Sequence, residues 1–180
     1  MNLTMRVLDL NILRFLQKLR FPLLDLLMTF VTTIGNGGII WIVISLVLLI
    51  QNDKKNRMAF TIILSLIISS VIGLLILKPI IARPRPFLTA NFNDLLIKAP
   101  IGYSFPSGHT SSSFAAGTAI YKHNKKFGHL AFVLATLIAI SRMYHFVHYP
   151  TDIIGGVLLG LASGIVSYKI TKHIENKKKD

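Results

Sequence analysis

The residues able to do chemistry gather at the ends of apolar runs. Ser141-Arg142-Met143-Tyr144-His145-Phe146-Val147-His148-Tyr149-Pro150-Thr151-Asp152 sets an arginine, histidines and a carboxylate between two strongly apolar segments. Ionisable groups are costly there and mark candidate sites. His148 and Asp152 stand four residues apart, a spacing that brings two side chains together on one helix face. As a working pair, His148 is nucleophile or base and Asp152 orients it; as snorkelling residues capping a helix, they have no chemical role. Two further stretches carry similar residues: Lys78 with Arg83-Pro84-Arg85-Pro86, and Pro106-Ser107-Gly108-His109. Cations in that number imply an anion, and phosphate is the natural one. A helix opening at Pro106 adds free N–H groups and a favourable dipole, and Gly108 lets backbone approach a phosphoryl oxygen closely.

The elements that must position these groups are apolar. The 180 residues fit one domain, 52% are hydrophobic, and uninterrupted apolar runs predict an all-α integral membrane bundle. About six transmembrane helices are expected: Phe21–Gly35, Ile39–Ile50, Met58–Leu77, Pro106–Tyr121, Leu130 to Met143 or Tyr144, and Pro150–Ile170. The Gly35-Asn36-Gly37-Gly38 turn separates the first two, and Ile80–Phe105 is a long functional loop. Residues 1–20 interleave Leu3, Leu10, Leu13 and Leu16 with Arg6, Arg14, Lys18 and Arg20, a basic amphipathic helix suited to the membrane interface. The expected organisation is that helix over 1–20, the six-helix domain over 21–173 and a basic cytoplasmic tail over 174–180. Gly156, Gly160 and Gly164 recur at every fourth position of the last helix and predict close helix contact. Ser111, Ser112, Ser113, Ala115, Ala116 and Gly117 read as small packing residues.

The formal charge of +13 does not point to nucleic acid, because the basic residues sit in short clusters between apolar runs without interleaved aromatics. With six spans, about fifteen of the 20 Lys and Arg fall on one side, the N-terminal segment included, and that side is expected to be cytoplasmic. Lys78, Arg83, Arg85, Lys98 and Arg142 fall on the other, with His109 and His148. No cysteine is present, which excludes disulfides and thiolate metal sites and leaves the redox compartment open. No cleaved leader is expected, since no small-residue cleavage site follows the N-terminal apolar residues.

The three stretches, Lys78-Pro-Ile-Ile-Ala-Arg-Pro-Arg85-Pro86, Pro106-Ser107-Gly108-His109, and Ser141-Arg142 followed by His148 and Asp152, resemble in order and spacing the signatures of the type 2 phosphatidic acid phosphatase and vanadium haloperoxidase superfamily. The resemblance implies Lys78, Arg85 and Arg142 as phosphate ligands, with Ser107 and Gly108 adding hydrogen bonds. It implies His148 as nucleophile, Asp152 as its partner and His109 as general acid. Its candidate substrates are undecaprenyl pyrophosphate, phosphatidylglycerophosphate and phosphatidic acid. No cofactor or metal is expected, and the partners are the lipid substrate and membrane lipids.

Among the remaining residues, His145 reads as interfacial. His123, His129 and His173 read as solvated, Trp41 as a membrane anchor or packing residue, and Arg83 as a cation behind the phosphate ligands that could also touch substrate. Asp25 has no evident partner. The competing functions are an anionic-lipid transporter or flippase, since intramembrane cations also mark substrate paths, and a vanadate-dependent haloperoxidase, which the apolar spans disfavour.

Overall fold

A computed structural model describes residues 3–51 and 53–177. Helix α1 spans Leu3–Lys18, α2 Pro22–Ile34 and α3 Ile39–Leu49, the last two joined by a 3-10 turn at Asn36–Gly38. Helix α4, Asp53–Ser70, continues through a π-helical segment at Val71–Leu77 into a short α5, Lys78–Ile81. After the short α6, Pro86–Thr89, come α7, Gly108–His123, α8, Lys125–Tyr144, and α9, Pro150–Lys177. The described residues contain no strand.

Three helical stretches are long and apolar enough to cross a membrane, and a fourth results if α2 and α3 form one span bent by 44°. Contacts settle how that pair runs. Tyr144 donates to Asp25 at 2.5 Å and Arg142 to Thr32 at 2.6 Å, a Cβ on Gly35 would meet Ile138, and α3 then packs Trp41, Ile44 and Leu48 with Met58 and Ile120. The chain therefore descends along α8, bends and continues to the far end. The expected hairpin at Gly35–Gly38 is a 44° bend, and among the described residues three or four membrane-length stretches are found where six spans were expected. Neither half could cross alone, since 13 and 11 residues reach only about 20 and 17 Å against a hydrocarbon core of about 30 Å. Gly37 and Gly38 take positive φ of 59° and 70°, which glycine adopts without a Cβ penalty.

The bend also relocates the N-terminal helix. Asp9 accepts from Arg83 at 2.7 Å, Gln17 donates to the Tyr144 carbonyl at 2.8 Å, and Arg20 pairs with Asp94 at 2.8 Å. Buried Leu13 packs with Phe146 and Tyr149. Helix α1 thus lies at the end holding Arg83 and His148, and the expected grouping of its cations with the Lys54 and Lys122 loops is corrected. The described Lys and Arg then divide nine and nine between the two ends.

Other boundaries shift by local chemistry. Helix α7 starts at Gly108 rather than Pro106, because Ser107 is its N-cap and accepts from the Thr110 amide. Helix α8 starts five residues before Leu130, where the Asn124 side chain caps it. Helix α9 runs on through Lys177, so the expected tail from 174 is helical that far. Lys178, Lys179 and Asp180 of that tail, Met1 and Asn2 of the N-terminal segment, and Asn52 of the first basic loop lie outside the described residues.

The α7–α9 pair holds the bundle together. Added Cβ atoms would come within 2.9 Å of the Ser107 carbonyl at Gly156, 2.6 Å of the Ser111 carbonyl at Gly160 and 2.5 Å of Thr118 at Gly164. The glycine stripe lets the two backbones touch, setting Ser107-Gly108-His109 against His148 and Asp152. Trp41, 1% exposed, donates to Ser113 at 3.0 Å, so it packs inside the bundle. The outer faces carry exposed apolar side chains such as Phe30, Leu75, Leu130 and Leu158, as a lipid solvent requires.

Candidate active site

Asp152, 0% exposed, is the centre of the site. It sits at the third position of α9, whose first position is Pro150, and its Oδ2 reaches back 2.9 Å to accept from the Tyr149 amide. That is the return arm of a capping box. His148 precedes the helix, so the pair is joined by this cap and not by a shared helix face. Its Nδ1 lies 3.5 Å from Asp152 Oδ2 and 3.5 Å from Ser104 Oγ, while Ser104 donates to the same Oδ2. The other ring nitrogen, Nε2, lies 3.3 Å from Arg85 Nη1. A guanidinium has no acceptor, so Nε2 carries the lone pair and Nδ1 the proton, facing Asp152. Burial pushes the His148 imidazole down to about 3 against the pull of Asp152, keeping it neutral, with the Nε2 lone pair turned to Arg85.

Three cations stand at this end of the bundle, Arg85 against His148 itself, and none has a carboxylate partner among the described residues. Arg85, 4% exposed, donates to the carbonyls of Gly102 at 2.9 Å, Val147 at 3.0 Å and Ile101 at 3.3 Å. Lys78 donates to the Tyr103 carbonyl. Arg142, 3% exposed, donates to Thr32 at 2.6 Å, and its buried Nε has no partner. Arg85 and Arg142, removed from water and held only by neutral acceptors, favour an anion, and half-buried Lys78 adds a third positive charge.

Arg83 behaves differently. Its Nη1 donates to Asp152 Oδ1 and, at 2.7 Å, to Thr151, and its Nη2 donates to Asp9 at 2.7 Å. Its guanidinium lies 3.7 Å from the centre of the Tyr149 ring. With both carboxylates as partners, Arg83 is committed behind the site and is not among the cations left for a ligand.

The start of α7 completes the arrangement. The Ser107 amide donates to the Asp152 carbonyl at 3.1 Å, so any bond Ser107 gives a ligand comes from its hydroxyl, which already accepts from Thr110 at 2.9 Å. The Thr110 and Ser111 amides are met by Ser107, leaving those of Gly108 and His109 as the open amides of the first turn. His109 Nε2 lies 2.8 Å from Asn36 Oδ1 in the bend. The structure therefore brings Lys78, Arg85, Ser107, Gly108, His109, Arg142, His148 and Asp152 to one end of the bundle.

Asp9, Asn36, Thr32, Ser104 and Thr151 are the site's neighbours that sequence reasoning missed. Asp25 has partners in Tyr144 and Arg20. His145 is 2% exposed, with neither ring nitrogen hydrogen-bonded, so it is buried rather than interfacial. His123 is bonded to Thr61 at 2.9 Å and set edge-on to Tyr168, so it is not a solvated loop residue.

Among the described residues, no cluster of three or more His, Cys, Asp or Glu is placed to hold a metal ion. A family model for the PAP2 superfamily matches residues 55–175. The chain belongs to that superfamily. It is 34% identical over 145 residues to the undecaprenyl-diphosphatase of Sulfolobus acidocaldarius, covering 80% of this chain and 69% of that protein. It is 34% identical over 117 residues to the bacitracin transport permease protein BcrC of Bacillus licheniformis, covering 65% of this chain but only 57% of that relative's length. Among solved structures, LpxE of Aquifex aeolicus superposes with a TM-score of 0.79 at 30% identity, over 90% of this chain and 95% of that one. With its apolar helices and membrane-protein relatives, this PAP2 chain is an integral membrane protein.

Proposed function

We propose that the chain is a membrane lipid phosphatase, cleaving a lipid phosphomonoester or pyrophosphate through a phosphohistidine on His148. The carrying observation is the contrast among the cations: Arg83 is bound to carboxylates, whereas Lys78, Arg85 and Arg142 have only neutral acceptors, and Arg85 lies against the His148 imidazole.

In the proposed reaction the terminal phosphoryl group displaces those neutral acceptors. Lys78, Arg85, Arg142, the Ser107 hydroxyl and the Gly108 and His109 amides neutralise its equatorial oxygens, which carry the charge of the transition state. Arg85 leaves the Nε2 lone pair as it engages the phosphate. Nε2 forms a bond to phosphorus, the phosphorus–oxygen bond to the lipid breaks, and His109 gives the departing oxygen a proton. Asp152 holds the Nδ1 proton and stabilises the charge that develops on His148. His109 then takes a proton from water, whose oxygen attacks phosphorus, and the phosphorus–nitrogen bond breaks to release phosphate. Among candidate lipids, undecaprenyl pyrophosphate is favoured by the name of the Sulfolobus relative, with phosphatidylglycerophosphate and phosphatidic acid as comparison substrates.

Phosphate release from these three lipids by the purified protein in detergent tests the reading, and release from one or more is expected. Binding without release from any of them would instead fit the transporter reading that the name of the Bacillus licheniformis relative suggests. Neutralisation by Arg and Lys replaces the metal of other phosphatases, so EDTA should leave turnover within about twofold of its starting value, and orthovanadate should inhibit. Loss of activity in EDTA with recovery in magnesium would contradict this account.

The proposed placement is a bacterial plasma membrane, with α1 lying in the interface on the site side and the bundle spanning from residue 21. Four of the nine site-end cations, Lys78, Arg83, Arg85 and Arg142, are assigned to the site. The other five, Arg6, Arg14, Lys18, Arg20 and Lys98, are outnumbered by nine at the far end. This bias supports an extracytoplasmic site and a cytoplasmic far end. Exposed Lys98 and Lys126 mark the two ends. An impermeant thiol reagent on intact cells should label Lys98→Cys and spare Lys126→Cys; the reverse pattern inverts the topology.

A further inference from the structure

The N-terminal helix places a buried carboxylate three contacts away from the proposed nucleophile. Asp9 is 2% exposed, and its Oδ2 accepts from Arg83 Nη2 at 2.7 Å and from the Thr151 hydroxyl at 2.6 Å. Its Oδ1 lies 3.3 Å from the Thr151 amide. Arg83 passes the link on to Asp152 Oδ1, and Asp152 Oδ2 faces His148. Helix α1 precedes the residues 55–175 matched by the superfamily, so Asp9 lies outside the matched region.

Building on the phosphatase reading, we propose that Asp9 and Arg83 are positioning residues for catalysis, with Asp9 holding Arg83 so that Asp152 is fixed without being fully neutralised. Arg83 bound to Asp152 alone would withdraw the carboxylate's charge from His148, and its long side chain would have several rotamers. With Asp9 on its other arm and Tyr149 against its face, the guanidinium is locked, and its charge is shared between two carboxylates. Thr151 ties both ends, since its hydroxyl accepts from Arg83 and donates to Asp9. Asp152 thereby retains negative charge toward Nδ1 of His148 at the moment the imidazole becomes positive.

A purely structural role is the competing account, in which Asp9 only fastens α1 to the bundle. Helix α1 has other fastenings, however, in buried Leu13 packed on Phe146 and Tyr149 and in the Gln17 bond to Tyr144. Loss of Asp9 charge need not undock it.

The test is steady-state phosphate release by the full-length protein in detergent, with lipid substrate and folded fraction matched across variants. Wild-type turnover on the same lipid checks the phosphatase reading separately. Asp9→Asn should lower kcat by about 10- to 100-fold through misplacement of the reacting groups, with KM changed less than about threefold. Arg83→Lys keeps the charge but lacks the planar fork that reaches Asp9 and Asp152 from separate arms, and it should show the same split. Adding Asp9→Asn to Arg83→Lys should cost less than about a further threefold, because the two act through one link. Full multiplication of the two single losses, a rise in KM with kcat unchanged, or a fall in melting temperature with kcat per folded protein unchanged would each overturn the proposal. Should Asp9→Asn fail to accumulate, the kcat and KM of Arg83→Lys decide it.

Discussion

Asp152→Asn is expected to lower turnover by about 10⁴-fold while leaving KM within about threefold, by analogy with the same change in the serine-protease triad. The structure gives two reasons for so large an effect. An amide oxygen toward His148 would keep the tautomer, but the Asp152 oxygens already accept from obligate donors on both sides. Arg83 donates to Oδ1, and the Tyr149 amide to Oδ2. Whichever way the new amide turns, its NH₂ group meets an N–H donor. If it turns toward His148, the imidazole moves its proton to Nε2 and loses the attacking lone pair. If it turns toward Arg83, a buried guanidinium loses a partner, at a stability cost of about 1–3 kcal/mol. Substrate binding should survive in either case because the proposed phosphate ligands Lys78, Arg85 and Arg142 do not bond to Asp152. The measurement is kcat and KM per folded protein at a temperature where the variant remains native. A rise in KM with kcat unchanged would place Asp152 in substrate binding instead.

The residues at the site end were legible because their types are improbable beside lipid. Lys78, Arg85, His109, Arg142, His148 and Asp152 stand out against apolar neighbours in a single sequence, and the glycine stripe on α9 announced the close packing that joins two of the stretches. What could not be read was long-range pairing. Asp9 is one of seven acidic residues and nothing in the sequence marks it; only the fold shows it 2.7 Å from Arg83. Ser104 and Asn36 carry no signal of their own, being ordinary loop residues until they meet His148 and His109.

The misreading of α2 and α3 has a different cause. Gly35-Asn36-Gly37-Gly38 has turn composition, but positive φ at two glycines permits a bend as readily as a reversal. The lengths of the two halves were the better guide, because neither could cross a bilayer. The error carried into the charge count, since treating the pair as a hairpin moved α1 to the wrong end. The π-helical Val71–Leu77 below Lys78 was likewise hidden, because an apolar run has no residue type that marks the widened turn.

His109 and His148 should separate when each is removed. His148→Ala should form no phosphoenzyme with any substrate. His109→Ala should be slow on lipid phosphates, where the departing oxygen needs a proton. With p-nitrophenyl phosphate, whose leaving group departs with little protonation, its first step should recover by about 10²-fold or more relative to lipid, while the second step stays slow for want of a base. The two steps thus fail at different points, and the intermediate should be trapped between them. Asn36, bonded to His109 in the bend, makes His109 the histidine held by α2 and α3, whereas His148 is fixed by Arg85 and Asp152.

The most direct measurement is mass-spectrometric mapping of acid-labile phosphate in His109→Ala, quenched rapidly after mixing with p-nitrophenyl phosphate. Phosphate accumulating on His148, and absent when His148→Ala is added, is the predicted result. Phosphate on another residue, or turnover of the activated substrate by His148→Ala, would contradict His148 as the nucleophile.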